Sequence, residues 1–332
     1  MSIHKFGDFR EAVFQFRLPR ILLTALELEL FTVMNGQKWT IRALAKTLRV
    51  SQRGLDILCR NLLSAGLLRK DGARYQNSPF ARRLLNRHSE DYRGAYLDLI
   101  QRQWSDWASL TQAVKTGKPI EPQGPGTPEY RRSFSWAMHE RSLDVARQVA
   151  GQLNLKTATS LLDVGGGPGT YALEFLDKNP SLRATIFDRP EALDVAREIA
   201  QTRRSHARVS YMAGDFLMDP IQRKYDVMWL SNVIHIYSAA ENLKLFRRLR
   251  PHLNPGGRLL IQDTFLVDRA GSRPAESNLF AVTMLLFTES GNTYQATDVQ
   301  AWLKKAGYRK QGMVKLKKGT GDWEGRLIQG SL

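Results

Sequence analysis

Along the first third of the chain, apolar side chains return every three or four positions, the spacing that gathers them on one face of a helix. Arg10 to Thr32, Thr40 to Leu48 and Ser51 to Ala65 show this pattern. The first is read as a single helix from Phe9 to Thr32. Thr40 and Ser51 are of the type that caps a helix N-terminus, and Gly66 suits a C-terminal stop. Leu67 to Tyr75 then reads as a hairpin turning at Asp71-Gly72. Two short helices followed by a hairpin make a winged helix. Between Lys115 and Glu129, Gly117, Pro119, Pro122, Gly124, Pro125, Gly126 and Pro128 crowd together, a density at which neither helix nor strand continues.

Beyond that break the period changes. Ser160 to Val164, Ala184 to Phe187, Val209 to Tyr211, Val227 to Leu230 and Leu259 to Ile261 are short apolar runs, each followed by a helical stretch or a loop. This alternation predicts an α/β domain whose parallel strands are joined by crossover helices, with ligands bound beyond the strand C-termini.

Composition narrows the class without naming it. The chain has 332 residues, 42% hydrophobic and 24% charged, enough to bury a sizeable core and far from disordered or fibrous usage. Cys59 is the single cysteine, which excludes a disulfide framework or thiolate-rich metal site and fits a reducing compartment. No apolar run reaches the roughly 18 residues of a membrane span. Lys5, Asp8, Arg10 and Glu11 interrupt any signal-peptide core, so a soluble cytoplasmic protein without stable membrane association is expected. The 49 basic and 32 acidic residues give +17, yet the excess is spread over both halves. Its clusters, Arg131-Arg132, Arg203-Arg204, Arg247-Arg248 and Lys315 to Lys318, are short. A solvated basic surface explains them without nucleic acid.

The chemistry concentrates after the first strand of the second region. Asp163-Val164-Gly165-Gly166-Gly167-Pro168-Gly169-Thr170 leads from strand into helix, a turn that brings a ligand close to backbone amides. A dinucleotide fingerprint needs a third glycine where Thr170 stands. The G-x-G-x-G spacing behind an acid suits instead a nucleoside whose cationic methionine moiety lies over the loop. Asp188 ends the second strand, 25 residues after Asp163, where an acid commonly takes the hydroxyls of a ribose. Asp215 and Phe216 follow the third strand, placed for an adenine amino group and ring.

Together with Phe187-Asp188-Arg189-Pro190, Gly214-Asp215-Phe216 and Pro255-Gly256-Gly257-Arg258-Leu259, this loop resembles class I S-adenosylmethionine-dependent methyltransferases. Nearly the whole chain resembles the caffeate and acetylserotonin O-methyltransferase family and its bacterial small-molecule relatives. The resemblance implies a Rossmann-like methyltransferase domain at 151–332, a linker and pocket helix at 115–150, and an N-terminal all-helical winged-helix dimerisation domain at 1–114. It also implies a homodimer. By resemblance, S-adenosylmethionine is held by Asp163, Gly165, Gly167, Asp188, Asp215, Phe216, Ser231 and Ser142. Phe134, Met138 and Ser142 fit the family's Phe-x-x-x-Met-x-x-x-Ser helix. With Trp136, His139, Met284, Phe287 and Tyr294, Phe134 and Met138 are expected to line an apolar, aromatic acceptor pocket.

The resemblance makes His235 the general base that takes the proton of an acceptor hydroxyl, with His139 as its rival. Two departures stand out. Plant members read His-Asp-Trp where this chain reads His235-Ile236-Tyr237, and Thr293 stands where they place a Glu that buttresses the base. A less well oriented base is therefore expected. Methyl transfer to carbon by proximity alone is the alternative for the same pocket. A DNA-binding regulator, using Arg53 and Arg60 of the second helix with Arg69, Lys70 and Arg74 of the wing, is the alternative of a different class. Leu55, Ile57, Leu58, Leu62 and Leu63 on that helix favour burial instead.

Overall fold

The computed structural model describes residues 3–120, 126–317 and 326–332 and divides into two units, Met1–Gln101 and Arg102–Leu332. Pro122, Gly124 and Pro125 of the expected break, and Lys318 of the last basic cluster, lie outside the described residues. Among the described residues, no helix is long and apolar enough to cross a membrane.

In the first unit, helices α1 (Phe6–Phe14), α2 (Arg17–Glu27) and α3 (Leu30–Met34) occupy the stretch read as one helix from Phe9 to Thr32. The correction has a local cause. Pro19 offers no amide to the residue four before it, so a helix containing it must begin within a turn, and α2 does. Glu29, at φ 51°, then separates α2 from α3. The remaining elements are β1 (Trp39–Thr40), α4 (Ile41–Leu48), α5 (Gln52–Ser64), β2 (Leu68–Asp71), β3 (Arg74–Asn77) and α6 (Pro79–Leu84). Thr40 and Ser51 cap α4 and α5 by accepting from Ala43 and Gly54 amides, both at 3.3 Å. The strands pair antiparallel in the order β1-β3-β2. Phe31, Met34, Leu44, Leu55, Leu62 and Tyr75 form the core of this unit.

Helices α7 (Gly94–Asp106), α8 (Leu110–Thr116) and α9 (Pro128–Gln152) follow. Thr127 caps α9 by accepting from the Tyr130 amide at 3.2 Å, and Pro128 takes the first helical position, where its missing amide costs nothing. Then come β4 (Ser160–Val164), α10 (Thr170–Lys178), β5 (Arg183–Asp188), α11 (Pro190–Gln201), β6 (Val209–Ala213), β7 (Tyr225–Ser231), α12 (Ala239–Leu249) and β8 (Leu253–Gln262). The chain continues through β9 (Phe265–Leu266), α13 (Ala275–Phe287), β10 (Tyr294–Gln295), α14 (Ala296–Lys305), β11 (Lys310–Lys315) and β12 (Arg326–Ser331).

Seven of these strands make one sheet in the order β11-β12-β8-β7-β4-β5-β6. The five strands expected from the sequence are its parallel part, and β12 and β11 extend it antiparallel at one edge. Consecutive residues of one strand face opposite layers. Met228 and Leu230 belong to one core and Val227 and Trp229 to the other, and Leu259 and Leu260 divide in the same way. Both faces are therefore dry, which is why these strands read as unbroken apolar runs. Val164, Asp188, Ala213, Ser231 and Gln262 end the parallel strands along one edge of the sheet, and the candidate site is built there.

Candidate active site

The loop after β4 turns sharply because its glycines accept what other residues resist. Gly165 has φ 64°, and a Cβ on it would lie 2.8 Å from Val233 Cγ2 and 3.2 Å from Phe216 Cε1. Gly167, at φ 52°, donates its amide to Asp188 Oδ2 at 2.7 Å, and the Arg189 amide reaches Asp188 Oδ1 at 2.7 Å. Burial pushes the Asp188 carboxyl up and those two amides pull it back. Asp163 lies beneath the loop at 1% exposure. Its Oδ2 has no hydrogen-bond partner among the described residues. Burial first, and the charge of Asp188 second, raise its pKa from 3.8 to about 7.

Asp215 is exposed after β6. Its Oδ1 accepts from the Leu217 amide and its own amide donates to Asp219 Oδ2, both at 2.8 Å. Phe216 is wedged edge-on between Phe187 at 6.3 Å and Tyr237 at 6.1 Å. Arg248 of α12 fixes this loop, donating from Nε to the Phe216 carbonyl at 3.0 Å and from Nη2 to the Asp219 carbonyl. The sequence reading placed Arg248 in a surface cluster. A positive charge at the end of a helix that packs against the sheet was the available signal, and it was not specific. Ser231 ends β7, donates to Gln262 Oε1 at 2.6 Å and accepts from Asn232 Nδ2 at 3.0 Å. The buried Tyr171 hydroxyl joins Ser231 and Gln262, and burial pushes it up to about 12.

His235 sits in a single helical turn at residues 234–236, directly beyond β7, at 6% exposure. Its Nδ1 lies 2.8 Å from Asp263 Oδ1, and Asp263 is itself 5% exposed. The Thr264 amide donates to the same Oδ1 at 2.7 Å. A carboxylate only accepts, so the imidazole hydrogen belongs on Nδ1 and Nε2 is left as a base. Asp263 was missed by the sequence reading, which looked for the buttress at Thr293. There the hydroxyl has no hydrogen-bond partner among the described residues. The expectation of a less well oriented base rested on Thr293; the carboxylate beside the imidazole comes instead from the end of β8, as Asp263.

Phe280 of α13 stands edge-on to the His235 ring with centroids 4.7 Å apart. Met284 and Phe287 follow on α13, buried and half-buried, while Met138 and Ser142 are half-buried on α9. Phe134 stacks on Tyr130 at 6.3 Å and is 41% exposed. Trp136 packs with Leu173, Val195 and Ile199 and meets His139 edge-on at 5.9 Å. Two residues from Met138 on a helix, it faces nearly the opposite way. His139 Nδ1 is 2.9 Å from Thr170 Oγ1, at the start of α10. Tyr294 donates its hydroxyl to the Tyr237 carbonyl at 2.5 Å and packs on Trp302 at 4.9 Å.

Residues 107–309 match an O-methyltransferase domain, and residues 11–87 match an O-methyltransferase dimerisation domain. The tetracenomycin polyketide synthesis 8-O-methyl transferase of Streptomyces glaucescens is 32% identical over 310 residues, 91% of each chain. The 3-hydroxy-5-methyl-1-naphthoate 3-O-methyltransferase of Streptomyces sahachiroi is 29% identical over 296 residues, 86% of this chain and 84% of the relative. Human N-acetylserotonin methyltransferase, solved in complex with SAM, shares the fold with a TM-score of 0.84 at 23% identity over 100% of both chains.

Proposed function

The chain belongs to the O-methyltransferase family, and from that premise we propose that it moves the methyl group of S-adenosylmethionine to a hydroxyl of an aromatic small molecule. The reading is supported by relatives that act on a polyketide and on a naphthoate. The cofactor fits the residues present. Gly167 leaves room above the loop, Asp188 is held with both oxygens fixed at the end of β5, and Asp163 keeps a buried oxygen unpartnered. Asp163, Asp188 and Asp215 would take its amino, ribose and adenine groups, Phe216 would pack on the base, and Ser231 and Ser142 would border it. When bound, the cofactor supplies a methyl group already activated on a sulfonium.

The observation that carries the reaction is the buried His235–Asp263 pair. A phenol, with a pKa of about 10, is mostly protonated at neutral pH. Nε2 of His235 takes that proton as the oxygen attacks, while Asp263 holds the ring in the competent tautomer and balances the positive charge that forms. Met138, Phe280, Met284 and Phe287 would exclude water and position the acceptor ring. We assign 1–114 to winged-helix dimerisation, 115–150 to linker and pocket helix and 151–332 to catalysis, in a cytoplasmic homodimer.

The test is methyl transfer from labelled S-adenosylmethionine to phenolic and polyketide acceptors. Label should appear on oxygen, and His235→Ala should lower kcat by at least about 10²-fold while S-adenosylhomocysteine affinity stays within about twofold. Label on carbon, or full activity in His235→Ala, overturns the assignment.

A further inference from the structure

The helix α9 carries four arginines, Arg131, Arg132, Arg141 and Arg147, and three of them face carboxylates. Arg131 meets Glu191 at 2.8 Å, Arg132 meets Glu198 at 2.5 Å, and Arg147 approaches Glu174 at 3.7 Å. Arg141 has no carboxylate partner among the described residues. Its guanidinium instead lies over the ring of Phe280, 5.6 Å from the centroid. That same ring is edge-on to His235 at 4.7 Å. Guanidinium and imidazole therefore flank one aromatic side chain and are at most about 10 Å apart, the sum of those two separations. Helical spacing puts Arg141 on the side of α9 that carries Phe134 and Met138, since seven and three residues separate them. The positive charge also reaches Tyr171 beneath the site, opposing the rise that burial imposes on its hydroxyl.

We infer that Arg141 is a specificity residue that binds a carboxylate on the acceptor, so that the substrate class is a hydroxylated aromatic acid. The inference rests on the proposed reading of this site as the acceptor pocket. Arginine presents a planar pair of donors that matches a carboxylate, and Arg141, exposed on α9 with its guanidinium over Phe280, keeps those donors open to a ligand. A guanidinium and a base no more than about 10 Å apart set the direction of the substrate. The acid end is anchored on α9, and the hydroxyl is delivered to Nε2 of His235.

The experiment compares 3-hydroxy-1-naphthoate with 2-naphthol, which differ only by the carboxylate. Binding of each is measured by calorimetry with S-adenosylhomocysteine present, and methyl transfer is followed separately. The wild-type protein should bind the acid at least about tenfold more tightly than the naphthol. Arg141→Gln should erase that preference, Arg141→Lys should restore part of it, and neither should change binding of 2-naphthol or of S-adenosylhomocysteine by more than about twofold. Equal binding of the two compounds by the wild type, no binding of either, or an equal loss of both in Arg141→Gln would each overturn the inference. So would a fall in S-adenosylhomocysteine affinity, which would assign Arg141 to the cofactor's own carboxylate. If the acid binds through Arg141 but gains no methyl group on oxygen, the proposed reaction fails while the carboxylate site stands. If both compounds are methylated equally and Arg141→Gln is indifferent, the reaction stands and this inference falls.

Discussion

The orientation of His235 depends on one carboxylate oxygen. Asp263 Oδ1 accepts from the imidazole at 2.8 Å and from the Thr264 amide at 2.7 Å, so the acid is itself fixed before it orients the ring. Replacing it with Asn keeps the shape and removes the charge. An amide can present its NH₂ to Nδ1, which moves the ring hydrogen to Nε2 and makes it a donor where a base is needed. Asp263→Asn should therefore lower kcat by about 10²-fold or more with little change in S-adenosylhomocysteine affinity. Steady-state kinetics with calorimetry on the same preparation checks this, and unchanged kcat would show that the pair only packs. The residue was legible by a rule close to the one that found Asp188: an acid just past an apolar strand run, here with one residue between it and Leu259 to Ile261. It was passed over because Thr293 drew attention to a different place. Arg141 was not legible at all, since a lone arginine on a helix with three others gives no sign of which one lacks a partner.

The β4–loop–α10 element shows what local order costs when its partner is a charge. Strand and helix were plain in the sequence because β4 is buried on both faces and residues 170–176 of α10 are all buried. The cost could not be read there, because it depends first on how completely the fold buries Asp163 and second on Asp188 arriving from β5. Asp163 titrates near 3.8 in an unfolded chain but at about 7 in the fold, so the folded state holds its proton more tightly. Its contribution to stability is complete below about pH 4 and is lost as pH rises to about 7, roughly 4 kcal/mol for that difference. Asp163→Asn removes the ionisation. The cofactor-free variant should melt above wild type at pH 8, and the gap in Tm should shrink towards pH 5. A gap independent of pH would mean that the carboxyl stays neutral or finds a partner in solution. Other elements resisted prediction for reasons of place. The edge strands β11 and β12 interleave polar and apolar residues, and the separation of α1 from α2 needed Pro19 to be counted as a start rather than an interior residue.

At the scale of the whole molecule, the chain sets apolar surface against charge. Ile21, Leu22 and Leu26 of α2 pack onto the core of the first unit, but the stretch before them does not. Phe6 is 77% exposed, Phe9 50%, Val13 50%, Phe16 53% and Leu18 49%. Phe6, Phe9 and Val13 recur at three and four residues and so share one side of α1. Apolar area left in water forgoes about 25 cal/mol per Å², and a stripe of this kind on a chain matching a dimerisation domain over residues 11–87 calls for a second copy. Opposing it is the formal +17 on each chain, which a dimer doubles. The two terms respond differently to salt, because ions screen repulsion between exposed charges and leave apolar burial intact. Light scattering should therefore give about twice the 37.8 kDa chain mass. Dissociation on dilution should come at lower protein concentration in 0.5 M than in 0.05 M salt, and Phe9→Ser with Phe16→Ser should yield a folded monomer. A monomer throughout the dilution series in the wild type, or a dimer that loosens as salt is added, would show that charge rather than the apolar stripe governs assembly.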